Sequence, residues 1–143
     1  MFSKIIADDV IDAIPMDVPA KPITIKEILI VDDNLAYLTS TTMYLEGHGF
    51  KIKGVRTLAE AKQLLESQIH YDVIFVDYDL KNCLTGDKLV KEFNKKYLFL
   101  ANSVSDVDNK RLIQAGARGA LGKDLETICR LLKIPIKTVH HNN

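Results

Sequence analysis

From Glu27 onward the chain alternates strand-length apolar runs with stretches of helical spacing, and this alternation restricts its fold more than any other feature. The runs lie at Ile28 to Val31, Phe50 to Val55, Val73 to Val76, Tyr97 to Ala101 and Gly119 to Leu121. The first, third and fourth are nearly continuous in apolar residues, as expected of strands covered on both faces in a parallel sheet. Between them, Leu35, Leu38, Thr42 and Leu45 share one helical face that stops at Gly47 and Gly49. Thr57 and Glu60 form a T-x-x-E capping box ahead of Leu58, Ala61, Leu64 and Leu65. Leu89, Val90 and Phe93 mark a third helix, and Leu112, Ile113 and Ala115 a fourth that stops at Gly116. A fifth begins near Asp124 and carries Leu125, Ile128, Leu131 and Leu132, with Pro135 beyond its end. Strands alternating with helices through right-handed crossovers give an α/β fold, an open doubly wound parallel sheet with helices on both faces.

The 143 residues suit one domain of this kind, placed at 27–134. Residues 1–26 differ in character. They hold Pro15, Pro19 and Pro22 behind a short stretch in which Ile5, Ile6, Val10, Ile11 and Ile14 alternate with acids. That stretch reads either as a short docking helix before a stiff linker or as a disordered leader. Residues 135–143 form a C-terminal tail. Lys plus Arg and Asp plus Glu both number 19, so no bulk charge draws the chain to nucleic acid or to an anionic membrane. No apolar run is long enough to span a bilayer and no signal peptide pattern opens the chain, so a cytoplasmic location is expected. Cys83 and Cys129 lie far apart, and His48, His70, His140 and His141 have no metal spacing. These residues read as free thiols and solvated imidazoles.

In an open parallel sheet the chemistry lies at the carboxyl ends of the strands. Asp32 and Asp33 follow the first strand, Asp77 and Asp79 the third, and Lys123 the fifth. Acids converging at the rim of an apolar core repel one another and are costly to desolvate, so a cation is needed among them. Hard carboxylate oxygens favour Mg2+. Helix capping by Asp33 or Asn34 accounts for one of these strand ends, but not for two neighbouring acidic ends. No glycine-rich loop follows a strand, which argues against a dinucleotide or P-loop site. No G-x-S-x-G motif or strand-end histidine supports a hydrolase triad.

Three segments, Ile28-Leu29-Ile30-Val31-Asp32-Asp33-Asn34, Tyr71-Asp72-Val73-Ile74-Phe75-Val76-Asp77-Tyr78-Asp79-Leu80 and Gln114-Ala115-Gly116-Ala117 leading to Leu121-Gly122-Lys123, closely resemble the CheY-like receiver domain of bacterial two-component response regulators. The resemblance implies a flavodoxin-like five-stranded sheet of order 2-1-3-4-5. It implies that Asp77 accepts a phosphoryl group from a histidine kinase or a histidine phosphotransfer protein, and that a downstream protein target reads the result. It implies Mg2+ held by Asp32, Asp33, Asp77 and the backbone carbonyl of Asp79, with Lys123 reaching the phosphoryl oxygens. Chemistry of this kind is self-catalysed phosphotransfer, not enzymatic turnover.

Several positions depart from the family. Counting back from Lys123 puts Ala101 where a receiver carries Ser or Thr, and Ser103 is the nearest hydroxyl that could substitute. Ala120 stands where an aromatic residue usually swings inward on activation. Asp124 and Lys81 occupy places usually held by proline, and the segment from Gly86 to Tyr97 is short for a third helix and its loop. The conventional switch is therefore in question while the phosphorylation chemistry is retained. Because only a short tail follows the last helix, the expectation is a stand-alone receiver. The alternative is a pseudo-receiver that acts as a constitutive interaction module. A third reading, a haloacid-dehalogenase-like phosphatase built on Asp77-Tyr78-Asp79, leaves the upstream acid pair unexplained.

Overall fold

A computed structural model describes residues 24–136; the candidate docking helix in 1–14 and the end of the tail lie outside the described residues. The elements are β1 (Glu27–Val31), α1 (Leu35–Gly47), β2 (Lys51–Val55), α2 (Leu58–Glu66), β3 (Val73–Val76), α3 (Asp87–Phe93), β4 (Phe99–Ala101), α4 (Asp106–Ala115) and α5 (Leu125–Leu132). All strand pairings are parallel and their order is β2-β1-β3-β4.

Alternation along each strand sends successive side chains to opposite faces of the sheet. Leu29, Val31, Ile74, Val76 and Phe99 join α2, α3 and α4 through Leu65, Leu89, Phe93 and Leu112. Ile28, Ile30, Val73, Phe75 and Leu100 join α1 and α5 through Leu38, Leu45, Ile128 and Leu131. The sheet is thus sealed on both sides, which is why β1 and β3 carry almost no polar residue.

The fifth strand is the main departure from expectation. Within Gly119 to Leu121, only Ala120 pairs with β4, opposite Ala101. Three backbone hydrogen bonds hold the place: Arg118 N–H to the Phe99 carbonyl (2.9 Å), Ala101 N–H to Gly119 (2.8 Å) and Leu121 N–H to Ala101 (2.7 Å). The order 2-1-3-4-5 is kept, with its last member reduced to a single pairing, because Gly119 and Gly122 flank a run of only two apolar residues. β4 also starts later than its apolar run, at Phe99, because Tyr97 is committed elsewhere: its hydroxyl donates to the Ile69 carbonyl at 2.7 Å.

The capping box forms as its spacing predicts. The Thr57 hydroxyl accepts from Glu60 N–H at 3.1 Å, and the Glu60 carboxylate accepts from Arg56 N–H at 3.2 Å. At α1 the cap is Asn34, whose side chain accepts from Tyr37 N–H at 3.0 Å, and Asp33 is left free of that task. Leu35 and Leu125, placed by their spacing among the core-facing residues, lie at the first turns of their helices and are exposed. α3 is only 7 residues long, in line with the short segment that encodes it.

Candidate functional site

The sheet ladder carries the site residues one step past the strands. Asp32 N–H donates to the Val55 carbonyl, Asp77 N–H to Val31 and Asn102 N–H to Val76, at 2.9 to 3.0 Å. Asp32, Asp77 and Asn102 therefore stand side by side at the carboxyl edge, all buried. Lys123 reaches the same place from the turn after Ala120. Gly122 (φ 64°) and Lys123 (φ 54°) are both left-handed, and Asp124 N–H closes the turn onto the Leu121 carbonyl at 3.1 Å. A non-glycine residue in this region costs about 1 kcal/mol, so Lys123 must be held by its contacts.

Those contacts define the electrostatics. Lys123 Nζ lies 2.9 Å from Asp32 Oδ2 and 3.1 Å from Asp77 Oδ2. Burial, reinforced by the Asp32 charge, raises the Asp77 pKa to about 6 even with the lysine present. Burial by itself would lower the Lys123 pKa, but Asp32 and Asp77 more than offset it and hold the ammonium above its ordinary value.

Carboxylate oxygens of Asp32, Asp33 and Asp77 lie within 4.8 Å of one another. Asp32 Oδ2 is buried and accepts no well-directed hydrogen bond; the one cation that the described residues bring to it is the Lys123 ammonium. A set of hard oxygen donors with an under-satisfied buried carboxylate fits Mg2+, and the cluster is a divalent-cation site. Asp33 is kept at the rim by Arg56, whose Nε and Nη2 donate to its carbonyl at 3.3 and 3.1 Å.

Asp79 lies in the loop after Asp77, paired antiparallel with Thr85. That pairing uses the Tyr78 carbonyl and the Leu80 N–H, so the Asp79 carbonyl stays out of the ladder, while its side chain is exposed. Gly86 closes the loop against Asp77: a Cβ on it would lie 2.1 Å from the Asp77 carbonyl oxygen. Ser103 is buried and engaged at the start of α4. Its hydroxyl accepts from Ser105 N–H at 3.2 Å, and its backbone is bound at both ends by the Asn109 amide at 2.9 Å. Ala101 and Ala120 face each other, both fully buried.

Sequence reasoning did not reach Asn102 and Tyr37. Asn102 Oδ1 accepts from Lys123 N–H at 2.8 Å and its Nδ2 donates to the Tyr37 hydroxyl at 2.9 Å. The Tyr37 ring lies 4.6 Å from the Lys123 ammonium. Asn102 did carry a signal, since it is a polar residue directly after a strand. Tyr37 carried none, because an aromatic residue in the first turn of an amphipathic helix reads as core. Tyr37 and Lys123 also line a groove of about 320 Å³ between α1 and α5.

The chain is similar to solved receiver structures over about three quarters of its length. A CheY-like receiver domain from Methylobacillus flagellatus is 26% identical with a TM-score of 0.65, over 77% of this chain and 98% of that one. The chemotaxis response regulator CheY4 of Vibrio cholerae is 25% identical with a TM-score of 0.63, over 76% of this chain and 100% of that one. A CheY-like receiver domain from Methanospirillum hungatei JF-1 is 26% identical with a TM-score of 0.60, over 77% of this chain and 95% of that one. Among curated proteins, none matches the sequence. The model of the response regulator receiver domain matches residues 28–133, from the first apolar residue of β1 to the residue after α5. A match of that extent, on a chain whose strand ends carry the acids and the lysine together, makes this protein a member of the response regulator receiver domain family.

Proposed function

We propose that Asp77 accepts a phosphoryl group from the phosphohistidine of a histidine kinase or histidine phosphotransfer protein, in the cytoplasm, and that a protein target reads the modified surface. The observation that carries this reading is the placement of Asp77 beside Asp32, Asp33 and Lys123, in a cleft that only opposite charge makes tolerable. An Asp77 oxygen attacks phosphorus as the phosphorus–nitrogen bond breaks. The imidazole leaves with the bonding pair, and the product is an acyl phosphate. Asp77 attacks as the carboxylate, and a pKa of about 6 leaves it mostly ionised at neutral pH. Asp32, Asp33, Asp77 and the Asp79 carbonyl would hold Mg2+, which when bound would supply positive charge to the phosphoryl oxygens. Lys123 adds a second, fixed cation as negative charge builds on the transferring group. The Ser103 hydroxyl accepts from Ser105 N–H and keeps its own proton to donate, which would serve the phosphoryl group once the loop before α4 brings it there.

The test is incubation with Mg2+ and acetyl phosphate, or with beryllofluoride, followed by mass and amide shifts around Asp77. Wild type gains the adduct and Asp77→Ala does not; an equal change in both overturns the assignment. The buried pair Ala101 and Ala120 favours a second reading, an interaction module that is not phosphorylated. That reading is accepted if wild type binds Mg2+ yet forms no adduct.

A further inference from the structure

We propose that Asn102 and Tyr37 are positioning residues that hold Lys123 for phosphoryl transfer, a role that rests on the reading of Asp77 as acceptor. Lys123 needs such support because its turn follows a single pairing rather than a full strand, and because its own backbone is left-handed. A lysine on a four-carbon stem also loses much rotamer freedom when its ammonium is fixed.

Two groups supply that support from different directions. The Lys123 N–H can only donate, so the Asn102 amide must present Oδ1 to it, at 2.8 Å. That fixes Nδ2 toward Tyr37, whose hydroxyl accepts at 2.9 Å. The Tyr37 ring in turn lies 4.6 Å from the ammonium that Asn102 has aimed. Backbone and head of one lysine are therefore bound to a single pair of side chains, themselves joined by a hydrogen bond. Asn102 is fully buried and anchored by its own N–H on the Val76 carbonyl, so the brace is referenced to the strand beside the acceptor.

The brace also bears on the missing hydroxyl. With alanine at 101, no side chain at the last residue of β4 donates to the phosphoryl group. Lys123 is then the one charged donor that the described residues bring beside Asp77, and its placement matters more. A face-on aromatic ring stabilises an ammonium without neutralising it, so the charge stays available to an incoming anion.

The test compares phosphorylation rates with acetyl phosphate at saturating Mg2+ for Tyr37→Leu, Tyr37→Phe and Asn102→Ala, each with and without Lys123→Ala. Tyr37→Leu and Asn102→Ala are expected to slow the reaction roughly fivefold. Tyr37→Phe, which keeps the ring, stays within about twofold of wild type. In the Lys123→Ala background all three substitutions change the rate by less than about twofold, because residues that act through one partner are not additive. Equal losses in both backgrounds, or no loss in Tyr37→Leu, overturn the proposal.

A second readout does not depend on phosphorylation. Ring current from Tyr37 shifts the ε-methylene protons of Lys123 upfield in wild type and in Tyr37→Phe, and the shift is lost in Tyr37→Leu. Free-lysine values in wild type overturn the proposal even if the adduct forms. An intact shift with no adduct at Asp77 leaves the brace in place and overturns the acceptor assignment instead.

Discussion

Asp77 makes the metal-free protein pH-sensitive. The folded chain holds its proton more tightly than the unfolded chain, so protonation favours the fold. That contribution is complete below the ordinary value of 3.8 and is lost as pH rises through about 6. Without metal, Asp77→Asn should therefore be more stable than wild type at pH 7.5, by at most about 3 kcal/mol, with the gap closing toward pH 4. Urea denaturation across this range, with and without Mg2+, checks the prediction, and added Mg2+ should stabilise wild type more than the variant. The acids and lysine were legible because strand-end position and charge are both one-dimensional features. Asn102 and Tyr37 were not, because their roles depend on which atoms of Lys123 they meet. The switch positions were legible singly as Ala101 and Ala120, but their pairing across β4 belongs to the register.

Among the elements, α2 offers a clean measurement. Its capping box does not touch the acceptor, and Arg56 joins it to the loop that carries Asp33, with its backbone N–H on the Glu60 carboxylate and its guanidinium on the Asp33 carbonyl. Thr57→Ala should cost about 1 kcal/mol in urea unfolding and leave the phosphorylation rate unchanged. The loop after β3 is less forgiving. A methyl group at Gly86 meets the Asp77 carbonyl oxygen at 2.1 Å and Val76 Cγ2 at 2.8 Å, so the acceptor strand must move. Gly86→Ala should lose more than about 2 kcal/mol of stability and most of the adduct in the mass assay. The starts of α1, α2 and α5 were readable from capping residues, while α3 has no side-chain cap to read and the Ser105 cap of α4 was missed; the faces of β1 and β3 followed from their unbroken apolar runs. The fifth strand was overread, since two apolar residues between glycines satisfy a pattern but supply only one pairing.

For the whole molecule, the described residues show how the chain enters the sheet. Ile25 packs against the α1–α5 side, and Asp72 accepts from Lys26 N–H and Glu27 N–H at 2.9 and 2.8 Å, which pins the entry to β1. Asp72→Ala should therefore cost roughly 1 to 3 kcal/mol, measured by urea denaturation, because it frees both of these backbone donors. Neutral composition predicts no general affinity for polyanions, yet it averages over a carboxyl edge where Asp32, Asp33 and Asp77 crowd together. Among the described residues, no helix is long and apolar enough to cross a membrane. The shortened fifth strand has one more consequence. A sheet ends in rows of unpaired amides and carbonyls that can template another chain. Here one border carries exposed Lys51 and Lys53, and the other is covered by a segment that bends away after a single pairing, so neither offers a flat ledge for a second copy to extend. Self-association through continued strands is thereby discouraged, and recognition is left to the helices and loops.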